Sequence, residues 1–163
     1  MAISHIAAAA PTGNPTTSFT VVIPSGALAD DILILGATNR DSTADPSVTD
    51  NDSGGNAWAK LGGGTTGLTV WWKRATSGSA SKTVTASGFT GSSSGILKVF
   101  RGVSVAVTPY ENVTTESNAS ADPSRSSGNT LMNMVIRSPR EEGSARVTVM
   151  SDSVLATSLM NTA

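Results

Sequence analysis

The sequence predicts an all-β protein, folded as a two-sheet antiparallel β-sandwich or jelly roll with long loops. Apolar runs of strand length alternate with turn-forming clusters at short intervals. Glycine is frequent, at 16 of 163 residues, and helical periodicity is almost absent. A chain of this length has room for one domain with a single main core.

The N-terminal segment, residues 1–17, is interpreted as an arm or a first strand. Small residues end its apolar stretch, as at a signal-peptide cleavage site. However, the stretch lacks a basic region, and Ser4 and His5 interrupt it. A turn with Pro11 and Pro15 follows. We therefore expect an extended segment rather than a signal peptide.

The sandwich core is expected over residues 18–121. A β-branched run at 18–23 begins it, and the four consecutive aliphatic residues at 32–35 fit a strand buried on both faces. The polar stretch 39–57 is long for a loop, so a short strand is expected near Ser47 to Thr49. Alternating patterns predict further strands at 58–61, 67–74, 81–86 and 96–103.

The adjacent residues Trp71 and Trp72 lie on opposite faces of their predicted strand, so one enters the core and the other lies on the outer face. An outer tryptophan can anchor a subunit interface, pack beneath the 39–57 loop, or stack on a sugar. Of these three roles we favour the interface anchor, and we assign it to Trp71.

Residues 122–163 are expected to form C-terminal strands or an extension used in assembly. Strands are predicted more weakly at 104–108, 130–137 and 145–150, and a short helix at Ser153 to Met160. These patterns lack the clean strand pairs that would complete a sandwich.

Composition and motifs argue against an enzyme. Cysteine is absent, which excludes a cysteine nucleophile. Residues 91–95 match the GxSxG motif of α/β-hydrolases, in which the histidine base follows the serine in the chain. The only histidine, His5, lies far upstream, so this serine lacks a base. We expect no catalytic residues and no cofactor. The net charge of −1 argues against nucleic acid as a partner, and no apolar run is long enough to cross a membrane.

Asp50 and Asp52 are weak calcium candidates. The pattern Asp50-x-Asp52-x-Gly54 is similar to the start of a calcium loop, but the position of the bidentate glutamate falls on Leu61. Aspartates also cap their own turns without a metal, and a solvated turn is the favoured interpretation.

A set of short motifs runs through residues 18–105. They are Pro24-Ser25-Gly26, Asp31-Ile32-Leu33-Ile34, Trp58-Ala59-Lys60-Leu61, Trp72-Lys73-Arg74-Ala75 and Phe100-Arg101-Gly102-Val103. Their order resembles a family of β-sandwich modules found in tailed-bacteriophage virion proteins and some bacterial surface proteins. Asp30 and Ala57 depart from that family's pattern, because each stands where glycine is usual.

This resemblance implies a phage virion structural protein, most of all a capsid decoration or cement protein on the capsid surface. Its implied partners are the major capsid protein and further copies of itself, as a homotrimer. The extended N-terminal segment would dock on a neighbour. Interface residues are expected among Ile3, His5, Ile6, Trp71 and Tyr110.

Two other hypotheses stay open. One is a carbohydrate-binding module of a phage tail or adhesin, in which the exposed tryptophan, Tyr110 and the 39–57 loop bind a glycan, with or without calcium. The other is a tail-tube or tail-tip component built on the same sandwich.

Overall fold

A computed structural model describes residues 3–11, 17–39, 45–63, 67–105, 108–118, 129–137, 144–150 and 157–158. Within these ranges the chain forms twelve strands and no helix, so nothing there has the length and apolarity of a membrane-spanning helix. The strands are β1 (Ser4–Ala9), β2 (Ser18–Val22), β3 (Ile32–Asn39), β4 (Ser47–Asp50), β5 (Ala59–Gly63), β6 (Leu68–Arg74), β7 (Thr83–Ser87), β8 (Ser93–Arg101), β9 (Tyr110–Asn118), β10 (Asn129–Arg137), β11 (Ser144–Met150) and β12 (Thr157–Ser158).

Two antiparallel sheets pack face to face, which confirms the predicted β-sandwich. One sheet has five strands in the order β1-β8-β3-β6-β5, and the other has three in the order β2-β7-β4. Alternate residues of each strand point into the space between them, as in β2, where Phe19 and Val21 are buried and their neighbours are exposed. The core between the sheets consists mainly of these inward-facing aliphatic and aromatic residues: Phe19, Val21, Ile23, Leu33, Leu35, Trp71, Val84, Phe89, Leu97 and Val99.

Strand β3 lies at the centre of the five-stranded sheet and is buried on both faces, as its four aliphatic residues predicted. Leu33 and Leu35 belong to the core between the two sheets. Ile32 and Ile34 belong to a second core on the opposite face of the same sheet. The five-stranded sheet is therefore the middle layer of the molecule.

A third antiparallel sheet, in the order β12-β11-β10-β9, lies against that second face. Ile136 of β10 is fully buried there, and Tyr110 of β9 packs beside it. Strands β10 and β11 were predicted from the sequence, whereas β9 was not. The helix expected at Ser153 to Met160 is wrong in its described part, because Thr157 and Ser158 form β12 and pair with β11.

The stretch 104–108 was also predicted as a strand. Ser104, Val105 and Thr108 are not in a strand, and the two residues between lie outside the described ranges. The short strand predicted near Ser47 is confirmed as β4.

At the N-terminus, β1 forms one edge of the five-stranded sheet, and β8 is its one partner among the described strands. The register shifts between His5 and Ala7, as in a β-bulge. Ile3 packs against the second core, while Ile6 and Ala9 both pack against the core between the sheets, although a spacing of three residues would put these two on opposite faces of a regular strand.

Candidate functional site

The most unusual feature of the sandwich is a lysine buried between its two sheets. Lys73 lies on β6, on the same face as Trp71, and its side chain is 0% exposed. Two aspartates meet it from the three-stranded sheet: Asp50 ends β4, and Asp52 lies in the turn that follows. Their side chains are 6% and 4% exposed, so water is almost entirely excluded from this lysine–aspartate cluster.

Both carboxylates contact the ammonium. Lys73 Nζ lies 2.7 Å from Asp50 Oδ2 and 3.3 Å from Asp52 Oδ2. The indole Nε1–H of Trp58 donates to the same Asp50 oxygen at 2.7 Å. A buried charge is tolerated only when it is paired and hydrogen-bonded, and both conditions hold for Lys73 and Asp50.

Asp52 accepts hydrogen bonds from two hydroxyl groups in addition to the lysine. Ser79 Oγ donates at 2.6 Å and Thr76 Oγ1 at 3.0 Å, both to Oδ2. The hydrogen bond from Ser79 favours the carboxylate and is the largest influence on the pKa of Asp52. Burial raises this pKa, whereas Thr76 and Lys73 lower it further. The net result is a pKa of about 2. Asp52 is therefore a carboxylate at neutral pH.

Local turns bring these groups together. The amide N–H of Asp52 donates to Asp50 Oδ1 at 3.1 Å, and that of Gly54 donates to Asp52 Oδ1 at 3.4 Å, which fixes both aspartates in a tight turn. Gly55 passes so close that an added methyl group would overlap Lys73 Nζ and lie 2.7 Å from Asp52 Oδ2. Glycine is needed there because the charged groups occupy the space of a side chain.

A second polar contact links β8 with the segment before β3. The Arg101 guanidinium donates through Nε to Asp31 Oδ1 at 2.9 Å and through Nη2 to Oδ2 at 2.8 Å. Asp31 is 2% exposed and also accepts the Leu28 amide N–H at 2.8 Å. The hydrogen bond with Asp31 raises the pKa of Arg101. This bidentate pair holds the turn at residues 24–31 against the end of β8.

The calcium interpretation of Asp50 and Asp52 gains no support. The two residues lie in a turn, as the sequence favoured, but their carboxylates are buried rather than solvated, and both contact Lys73. The ammonium of Lys73 occupies the space between them that a cation would need. Among the described residues, no three acidic, histidine or cysteine side chains come together as metal ligands.

The expected interface residues also have internal contacts. Trp71 faces inward and is 3% exposed, so the interface assignment of this residue is wrong, and Trp72 is the outer-face member of the pair. Trp72 meets Tyr110 edge to face, with ring centroids 5.8 Å apart. Trp72 and Tyr110, which the carbohydrate hypothesis used, are therefore partly buried against each other, and of the described acidic residues in its loop Asp45 is exposed while the side chains of Asp50 and Asp52 are buried.

The other three candidates lie on β1. Ile3 and Ile6 are half-buried against the two cores, whereas His5 is exposed and meets Phe100 edge to face at 5.6 Å. Of the five residues, His5 alone is exposed to solvent.

The role of Lys73 was not predicted from the sequence. The available signal was its position: alternation placed it on the same face as Trp71, and a lysine at a core-facing position needs a charged partner. Comparisons of the chain with family models, with curated proteins and with solved structures found no match.

Proposed function

We propose that this chain is a structural protein of a tailed-bacteriophage virion, a capsid decoration or cement protein that stabilises the head through protein–protein contacts on its surface. The resemblance of its short motifs to those of phage sandwich modules supports this proposal. In this chain the motif residues Asp31 and Arg101 pair with each other, and Lys73 is enclosed by carboxylates. Their charges serve the fold, which suits a protein that acts by contact.

The observation that carries the proposal is the edge strand β1. It is the outermost strand of its sheet, and its six residues contain no lysine, arginine, aspartate or glutamate. Edge strands are usually protected by charge or proline against pairing with other chains. An uncharged edge can accept a strand from a neighbouring subunit through main-chain hydrogen bonds.

Symmetry would strengthen such contacts. Each copy would bury a modest area, and a homotrimer attached at several points to the major capsid protein would bind through all of them together. Ser4, His5 and Ala8 are the exposed residues of this edge strand.

The test uses the full chain, alone and mixed with empty capsids, in size-exclusion chromatography with light scattering. We expect trimers that co-elute with capsids. Ala8→Lys adds a charge at an exposed position of β1 and should abolish this assembly, as should deletion of residues 1–10. The control Thr20→Lys adds the same charge on the exposed side of β2 and should leave it intact. Wild-type protein that is monomeric and does not bind capsids would refute the proposal.

A further inference from the structure

We propose that Lys73 and Asp50 condense to form an isopeptide bond, which covalently joins the two sheets of the sandwich. This inference goes beyond the proposed function and does not depend on it. It rests on the buried lysine–aspartate cluster, where an amine and a carboxyl group are held in contact in the near absence of water.

Proximity supplies the first requirement. Lys73 Nζ lies 2.7 Å from Asp50 Oδ2, and each residue is fixed within its own sheet, Lys73 on β6 and Asp50 at the end of β4. Groups held in this way react as if present at very high concentration, with effective molarities of about 10⁵–10⁸ M for well-oriented pairs.

Neighbouring groups supply the second requirement, which is control of protons and charge. Asp52 Oδ2 is 3.3 Å from Nζ and is ionised, so it can accept a proton from the amine as the amine attacks. Ser79 and Thr76 hold that carboxylate in place. Trp58 Nε1–H donates to Asp50 Oδ2, where negative charge develops in the tetrahedral intermediate.

The reaction balances without a co-reactant. The Nζ–Cγ bond forms and one Cγ–O bond of Asp50 breaks. Of the three protons on the ammonium, one remains on the amide nitrogen and two leave with the carboxylate oxygen as one water molecule. The ammonium first transfers one proton to the Asp50 carboxylate that it contacts, which gives the neutral amine and the carboxylic acid. Asp52 then accepts a second proton from nitrogen as the Nζ–Cγ bond forms, transfers it to the departing oxygen, and ends as the carboxylate with which it began.

The buried environment favours the product. A positive and a negative charge disappear from a site where their desolvation is costly. The released water escapes, and hydrolysis would require water to return to side chains that are 0% and 6% exposed. Asp50 is the acyl donor rather than Asp52 because it is the nearer carboxyl group and the one that Trp58 polarises.

Intact-mass spectrometry of the purified full chain is the test. We expect wild-type protein to be lighter than its sequence by one water molecule, and a digest to contain a branched peptide that joins Lys73 to Asp50. Lys73→Arg should restore the full mass. Asp50→Asn should give the same branched product with loss of ammonia instead of water.

Asp52→Asn tests the proton carrier. It should have the full mass while retaining the circular dichroism spectrum of the wild type. The matched control is Lys60→Arg, since Lys60 pairs with Asp45 at an exposed site and should keep the one-water deficit.

Two results would overturn the bond. One is wild-type protein at its full sequence mass, with Lys73 recovered in a linear peptide. The other is a one-water deficit that persists in Lys73→Arg, which would mark dehydration at an aspartate elsewhere. Asp50→Asn keeps the test decisive if Lys73→Arg does not fold, since full mass in that variant contradicts the proposal. A full deficit in Asp52→Asn would refute the role given to Asp52.

Discussion

At the scale of single residues, the backbone at Asp30 has a conformation that favours glycine. Its φ is 68°, in the left-handed region that side chains disfavour and glycine adopts freely. Aspartate is among the residues other than glycine that tolerate this conformation best. The turn that leads into β3 therefore determines which residue types fit at position 30, and the chemistry of the carboxyl group does not.

We predict that Asp30→Gly stabilises the protein by up to about 1 kcal/mol, because relief of the left-handed strain exceeds the greater flexibility of glycine in the unfolded chain. Urea unfolding measures the difference. Asp30→Asn is the control, since it removes the charge near Arg74 while keeping a side chain that tolerates positive φ. Any destabilisation of Asp30→Gly relative to the wild type would contradict the prediction.

The hydrogen bonds to Asp52 predict a loss of stability in acid. Its pKa in the folded protein is about 2, below the ordinary value of 3.8. The folded state therefore gains stability from the carboxylate above about pH 4, and this gain is lost as the pH falls from about 4 toward 2. Ser79→Ala removes the strongest influence, so the pKa of Asp52 should rise toward its ordinary value, and the loss of stability in acid should be smaller and end at a higher pH.

An NMR titration of the Asp52 carboxyl group, with unfolding measured across the same pH range, tests this prediction. Ser47→Ala is a suitable control because Ser47 is an exposed residue at the start of β4. If the titration of Asp52 is the same in Ser79→Ala and wild type, the hydroxyl group does not hold the carboxylate.

At the scale of strands, β8 depends on a glycine where it passes β3. Gly95 pairs with Ala37, and a methyl group there would lie 2.5 Å from Phe19 Cζ and 2.8 Å from the Gly36 carbonyl oxygen. Neither neighbour can move easily, because one is an aromatic core residue and the other is backbone of the central strand.

We predict that Gly95→Ala lowers the free energy of unfolding by about 1–3 kcal/mol, the usual cost of overpacking a core. Gly26→Ala is the matched control, since its added methyl group would meet only Ile6 at 3.9 Å, an ordinary contact. Equal effects of the two substitutions in urea unfolding would show that the close approach at Gly95 is relieved without cost.

Elements with a repeated pattern were predictable, and contacts between distant elements were not. Four aliphatic residues indicated the doubly buried β3, and alternation gave the two faces of β6 correctly. The same alternation put Lys73 on the face of Trp71, which the sequence analysis took as the outer one, and its partners Asp50 and Asp52 lie more than twenty residues away, at the end of β4 and in the turn that follows. No periodic pattern specifies the contact of Lys73 with Asp50 and Asp52. The local spacing of the two aspartates suggested a calcium site or a turn instead.

At the scale of the whole molecule, the last third of the chain was the hardest to predict. Strand β9 has the sequence YENVTTESN, which is largely polar and does not alternate clearly. Its position follows from pairing with β10 and from the apolar outer face of the five-stranded sheet, where Tyr110 meets Trp72. In the sequence, the residues of that face are the alternate positions of strands that had been assigned to a single core. Nothing in their pattern indicated that a third sheet would cover them.

The two cores predict separate responses to substitution. Ile136 is fully buried in the second core, so Ile136→Asp leaves a carboxylate among Ile32, Leu68 and Phe100. It should destabilise the attachment of the third sheet by at least about 2–5 kcal/mol, the cost of truncating such a residue. Because the core between the other two sheets does not include Ile136, we expect β2 and β7 to keep their protection.

Hydrogen exchange read by mass spectrometry distinguishes these regions. In Ile136→Asp, amides of β9 and β10 should exchange much faster while those of β2 and β7 remain slow. Val105→Asp is the control, since that side chain is 70% exposed and should change neither region. Simultaneous loss of protection in all three sheets would mean that they unfold as one unit, and the outer sheet would then be an integral part of the sandwich rather than a layer added to it.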